Sequence, residues 1–157
     1  QNADSLEIDR KRINISGNSA GGHLVTLLMH RDWPEKLGLP PDLIAGGCAI
    51  SGIYDLTPVR LSIKNEILNL SPEDVERFSP IRHIPEEASE LLFFVGSEET
   101  NEFLVQQEEI QQSWQNAGLQ SSAEICPGRN HIDILIQEFA DPTSSMNQQV
   151  RTQMGIL

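Results

Sequence analysis

Residues 11–31 read KRINISGNSAGGHLVTLLMHR, and the fold turns on how this stretch is read. KRINIS (11–16) carries Ile13 and Ile15 and reads as a short strand. AGGHLVTLLMHR (20–31) reads as a helix, with Leu24, Leu27, Leu28 and Arg31 at helical spacing. Between them, Gly17, Ser19 and Gly21 match Gly-x-Ser-x-Gly. At this chain's glycine and serine frequencies, about 0.07 accidental matches are expected. The motif alone is therefore only suggestive, and its setting carries the argument. A strand enters and a helix leaves, and a strained turn of that kind exposes the hydroxyl of its middle serine. Gly17 and Gly21 are expected to leave room where the turn crowds its neighbours. The helix N-terminus places the N–H of Ala20 where a developing oxyanion would sit. Ser19 is thus the candidate nucleophile and Ala20 the candidate oxyanion donor.

Outward from this turn, strands and helices alternate. LIAGGCAIS (43–51) has no polar residue before Ser51, as expected of a strand buried on both faces of a parallel sheet. Trp33-Pro34 is expected to end the first helix, with EKLGLPPD as a loop. Residues 52–89 form an irregular insert, in which Ser71-Pro72-Glu73-Asp74 has the pattern of a helix start. SELLFFVG (89–96) is the next buried strand. NEFLVQQEEIQQSWQNAG (101–118) is a long helix with Phe103, Ile110, Trp114 and Ala117 on one stripe and Gly118 as its stop. SSAEIC (121–126) is a fourth strand. A helix near 132–139 and a last helical segment after Asp141-Pro142 follow. The order is β-α-β-insert-β-α-β-α, which predicts an α/β fold with a parallel sheet and right-handed crossovers. Four strands look like half of a doubly wound domain.

Length and charge bound the function. At 157 residues the chain suits one domain with a real core. The net charge is −12 and the pI near 4.6, with only 11 Lys and Arg. No basic footprint for nucleic acid exists. No apolar run approaches the roughly 18 residues that span a bilayer, and no membrane partner is expected. No signal-peptide pattern opens the sequence, which starts at Gln1 and not at Met; the expectation is a processed or partial polypeptide. Cys48 and Cys126 both lie in apolar strand contexts. They read as two free thiols of a reducing, cytoplasmic compartment. Clustered Cys/His spacing is missing, so no zinc site is expected.

A nucleophilic serine needs a base, and the base needs an orienting acid. On an α/β sheet both should follow later strands, in the order serine, acid, histidine. The strand LLFFVG runs into Ser97-Glu98-Glu99, and the strand SSAEIC runs into Pro127-Gly128-Arg129-Asn130-His131. His131 is the candidate base. His23 lies inside the first helix, His30 at its end and His83 in the insert, and all three fit less well. Among Glu98, Glu99 and Glu102, Glu99 is favoured, because Glu102 falls in a helical first turn and Glu98 reads as solvated. Asp55 follows the wrong strand, and Asp133 is too close to His131. Tyr54, on the loop after the second strand, is a candidate substrate contact, with packing as its competing role.

GNSAGGH, GGCAISGIYDLTPVR, FSPIRHIP, VGSEETNEF and PGRNHIDIL, in that order, resemble the arylformamidase (kynurenine formamidase-like) branch of the α/β-hydrolases. The likeness runs from about Arg10 to near the end of the chain and is far more specific than Gly-x-Ser-x-Gly. It implies a serine hydrolase acting without a metal or other cofactor on a small-molecule carboxylic ester or N-formyl aryl amine. The family's nucleophile falls on Ser19, its acid on Glu99 and its histidine on His131. There are departures. Asn18 stands where the family often has His, and Glu99 where many relatives have Asp. The HGG-type loop that supplies the second oxyanion donor has no counterpart before Ser19. In family terms residues 1–157 are the C-terminal portion of a single α/β-hydrolase domain, with a cap-like insert at about 52–89. The strand at KRINIS is then an uncovered edge. The family's strand order also places residues 91–96 between the strands of Cys48 and Cys126, roughly 9–10 Å apart, beyond the roughly 7 Å reach of a disulfide.

Three readings follow. The first is an esterase or arylformamidase with a Ser19–Glu99–His131 triad, weak as the isolated chain and active at full length. The second is a non-catalytic α/β-hydrolase-like scaffold or binding partner. The third is an acyltransferase or peptidase with the same triad. A homodimer is compatible with each.

Overall fold

The computed structural model describes residues 2–30 and 32–156; the helical position given to Arg31 lies outside them. Four strands form one parallel sheet in the order β1 (Asn14–Asn18), β2 (Gly46–Ile50), β3 (Leu91–Gly96), β4 (Ser121–Cys126). Sequence order and spatial order coincide, so each crossover joins neighbouring strands. The crossover elements are α1 (Ala20–Leu28) and α2 (Asp32–Lys36), then α3 (Thr57–Arg60), α4 (Asn65–Leu68) and α5 (Pro72–Phe78), then α6 (Asn101–Asn116). After β4 a π-helical turn (Leu135–Phe139) leads to α7 (Ser145–Gln153). This is the expected α/β class, a parallel sheet with helices on both faces.

Strand periodicity sorts the core into two layers. In β3, Leu91 and Phe93 join a cluster with Val25 of α1, Met29 just past that helix, and Ile110 and Trp114 of α6. The intervening Leu92 and Phe94 join Cys48, Ile50, Cys126, Ile134, Met146 and Val150 on the opposite face. Successive side chains of a strand point to opposite faces, so β3 is apolar throughout because both faces are covered. Phe93 makes edge-to-face contacts with Tyr54 and Trp114, with ring centroids 5.6 and 6.2 Å apart.

Three expectations change in detail. The buried side of α1 is Gly22, Val25 and Thr26, whereas Leu24 and Leu28 are exposed. The turn at Ser19 sets the rotation of this helix, and that rotation is not a property of its apolar spacing. Trp33-Pro34 does not terminate a helix but lies within the short α2. Here Pro34 sits in a first turn, where its missing N–H costs nothing. In α6, Ile110 and Trp114 are buried as expected, but Ala117 is exposed at the helix end, and Gln106 and Gln107 are buried instead.

Other signals hold. Ser71 caps α5, accepting from the Asp74 N–H while the Asp74 carboxylate accepts from the Ser71 N–H. Gly118 takes φ 75° just past α6. Among the described residues β1 pairs with β2 alone, at one edge of the four-stranded sheet. Cys48 and Cys126 are buried free thiols on strands separated by β3. Burial pushes the Cys48 thiol up to about 12. Among the described residues, no helix is long and apolar enough to cross a membrane.

Candidate active site

The carboxyl ends of the strands carry the chemistry-bearing residues. Ser19 follows β1 with φ 58° and ψ −116°, a conformation L-residues rarely adopt. The surroundings hold it there. Its N–H donates to the Ile50 carbonyl of β2 at 2.9 Å, and its own carbonyl accepts from the His23 N–H at 3.1 Å. A Cβ on Gly17 would lie 2.4 Å from the Gly21 carbonyl carbon, so strand and helix cross only because residue 17 is glycine. The two motif glycines are not equivalent, however: a Cβ on Gly21 would meet nothing within 4 Å. Ala20 opens α1, so its N–H belongs to the first turn, which has no intrahelical acceptors.

Glu99 and His131 come together. The Glu99 side chain is fully buried, and its Oε2 lies 2.6 Å from His131 Nδ1. Its other oxygen, Oε1, accepts from the Ser51 hydroxyl at 2.5 Å and from the Gly96 N–H at 2.9 Å. The loops that carry acid and histidine are sewn to each other. The Ser97 N–H donates to the Cys126 carbonyl, the Glu98 N–H to the Arg129 carbonyl, and the Gly128 N–H to the Ser97 hydroxyl. A Cβ on Gly96 would stand 2.1 Å from the Arg129 carbonyl oxygen, so the two loops approach backbone to backbone. Asn130 and Asp133 brace the histidine loop, with Asn130 Oδ1 accepting from the N–H groups of Ile132 and Asp133. The Phe103 ring lies against the imidazole, centroids 4.8 Å apart. With Nδ1 on Glu99, Nε2 is the nitrogen left for other chemistry.

Ser19 is brought to the same edge of the sheet, but no hydrogen bond joins its hydroxyl to His131 among the described residues. Glu98 is exposed, and Glu102 accepts from Gln106 on α6. Asp55 caps Thr57 and pairs with Arg82. Burial pushes the Asp55 carboxyl up, but the Thr57 and Arg82 contacts outweigh it and hold the group below its ordinary value.

Tyr54 is wholly buried, with its ring closed over Gly52 and set edge-on to Phe93, surroundings that support the packing role that competed with substrate contact. Two residues that sequence reasoning passed over hold the site together. Ser51 is the first polar residue after an apolar strand, which was the available signal. Gln106 accepts from the N–H groups of Tyr54 and Asp55 and donates to the Asp55 carbonyl, pinning the insert to α6. His23 donates its Nδ1–H to the Ile53 carbonyl, 2.8 Å away, as a further tie to that loop. No group of three His, Cys, Asp or Glu positioned to hold a metal occurs among the described residues.

The parallel strands in sequence order, with helices on both faces, make part of an α/β-hydrolase fold. No family model matches the chain. Its sequence is similar to the kynurenine formamidases of Danio rerio and Salmo salar. Identity is 31% over 146 residues and 29% over 147, covering 90% of this chain and 49% of each relative. The chain thus spans about half the length of these curated relatives. A crystal structure of a candidate thioesterase from Silicibacter sp. tm1040 superposes with a TM-score of 0.74 at 27% identity, covering 92% of this chain and 52% of that one. The acetyl ester-xyloside bifunctional hydrolase of Caldicellulosiruptor lactoaceticus shares the fold, with a TM-score of 0.74 at 17% identity, over 99% of this chain and 61% of that one.

Proposed function

We propose that this protein is a serine hydrolase of the arylformamidase and esterase type, cleaving an N-formyl aryl amide or a carboxylic ester. The observation that carries the reading is the 2.6 Å contact between the buried Glu99 carboxylate and His131 Nδ1, on the same sheet edge as the strained Ser19 turn. Ser19 attacks the carbonyl carbon while its proton passes to His131 Nε2. The Ala20 N–H donates to the oxyanion. Collapse of the tetrahedral intermediate expels the amine or alcohol, which takes the proton from Nε2 and leaves Ser19 acylated. Water, deprotonated by the same nitrogen, then releases the acid. Glu99 holds the imidazole in the tautomer that presents Nε2 and stabilises the imidazolium that forms.

A cavity of about 270 Å³ supports the choice of substrate class. It is lined by Ile53, Pro58 and Val59 of the insert and by Thr100, Phe103 and Gln106, and Phe103 reaches from it to the His131 ring. Its mostly apolar wall suits an aryl or alkyl group beside the imidazole. The insert is in this sense a cap over the site.

The test is labelling with a fluorophosphonate probe, applied to the protein expressed at its full natural length. Labelling of the wild type that disappears in Ser19→Ala supports the reading. Labelling that persists in Ser19→Ala overturns Ser19 as the nucleophile, and none at all on the folded protein overturns the reading in favour of a non-catalytic scaffold.

A further inference from the structure

Ser51 stands just past β2, a strand that carries no member of the proposed triad. It is buried, with φ 48°, a second non-glycine residue in the left-handed region at this edge. Its N–H continues the sheet by donating to the Phe94 carbonyl at 2.7 Å, and its hydroxyl donates to Glu99 Oε1 at 2.5 Å. The carboxylate is therefore held from two sides. Two donors, Ser51 and Gly96, grip Oε1, and Oε2 is left to His131. A buried carboxylate oxygen deprived of a donor has no bulk water to replace it. Left-handed backbone at a serine is a retained strain, and here it accompanies a hydroxyl engaged with Glu99.

We propose that Ser51 is a positioning residue: its hydroxyl fixes the rotation of the Glu99 carboxylate so that Oε2 faces His131 Nδ1. This rests on Glu99 and His131 acting as acid and base. Removing the hydroxyl frees the carboxylate to turn, and the imidazole loses its fixed partner while the substrate cavity is untouched.

The experiment compares Ser51→Gly and Ser51→Ala in the wild-type and Glu99→Ala backgrounds. Glycine suits φ 48° and relieves the backbone strain, so it tests the hydroxyl without the fold; alanine keeps the Cβ. With p-nitrophenyl acetate as substrate, kcat is expected to fall about tenfold to a hundredfold with KM changed less than about twofold, and to change little in the Glu99→Ala background. A second readout is independent of activity: the proton NMR signal of the His131 Nδ1–H, which both variants are expected to move upfield or broaden. Equal losses of kcat in both backgrounds would show a merely structural role and overturn the proposal, as would no loss in either. Should the wild type prove inactive, the hydrolase reading falls and the resonance alone decides: an unmoved Nδ1–H signal in Ser51→Gly refutes the positioning.

Discussion

Gly17 and Gly21 frame Ser19 symmetrically in the motif, yet the structure assigns them opposite tolerances. In Gly17→Ala the new methyl would lie 2.4 Å from the carbonyl carbon of Gly21, 2.5 Å from its oxygen and 2.9 Å from its Cα. Ordinary contact is near 3.5 Å or more, so strand and helix must part by about 1 Å. The obstructing atoms are all backbone and cannot rotate away. Overpacking typically costs about 1–3 kcal/mol, and a backbone obstruction belongs at the upper end, about 3 kcal/mol. For a chain of this size each kcal/mol shifts Tm by about 2–4 °C, which puts the fall at about 6–12 °C. Gly21→Ala meets open space within a helix, where alanine is favoured over glycine by about 0.5–1 kcal/mol. Its Tm is expected to stay level or rise by about 1–4 °C. Thermal unfolding of both variants, followed by circular dichroism, measures the contrast. Equal destabilisation, or a larger loss in Gly21→Ala, would refute the reasoning.

Other perturbations address the rest of the site and its supports. Gly96→Ala would set a methyl 2.1 Å from the Arg129 carbonyl oxygen; it should cost about 3 kcal/mol in urea unfolding and also abolish probe labelling, because the same displacement separates Glu99 from His131. Burial lowers the His23 imidazole below 6.5, and its contact with the Ile53 carbonyl only partly offsets this. The unfolded chain therefore binds the extra proton first. The contribution of His23 is complete above pH 6.5 and lost as pH falls through the folded value, so the urea midpoint of the wild type should drop between pH 7.5 and 5 more than that of His23→Gln. Ser71→Ala removes the cap of α5 and should cost about 1 kcal/mol without changing labelling; a loss of labelling would place the insert's second half in the site.

Strand positions were legible because burial on both faces leaves a continuous apolar run, as in LLFFVG and GGCAI. The acid candidate Glu99 follows such a run by a few residues, whereas the base candidate His131 follows β4, whose Ser121, Ser122 and Glu124 interrupt the apolar pattern. The rotation of α1 was not legible: Leu24, Leu27 and Leu28 have a helical spacing as good as that of Val25 and Met29, and the turn at Ser19 decides which set goes inside. Tyr54 could not be assigned from its loop position, since burial depends on the approach of Phe93 and Gly52 from distant sequence. The buried Gln106 breaks the apolar rule for α6, because its amide satisfies backbone groups of the insert that no local pattern links to it.

Register explains why Ser51 in particular escaped notice. Asn18 pairs with Ile50, Ile50 with Phe94 and Gly96 with Cys126. One residue beyond Asn18, Ile50 and Gly96 stands a serine, and each donates its N–H to the neighbouring strand: Ser19 to Ile50, Ser51 to Phe94, Ser97 to Cys126. The sheet's hydrogen bonding is thereby carried one step past the strands and fixes where three hydroxyls begin. A one-residue slip of β2 against β3 would send its side chains to the opposite face and take Ser51 away from Glu99. A single sequence shows where strands lie but not how they pair. The nucleophile candidate, whose motif is local, can therefore be read from it directly. The serine that grips the acid, 48 residues away in the chain, becomes visible only once the parallel register has set β2 beside β3.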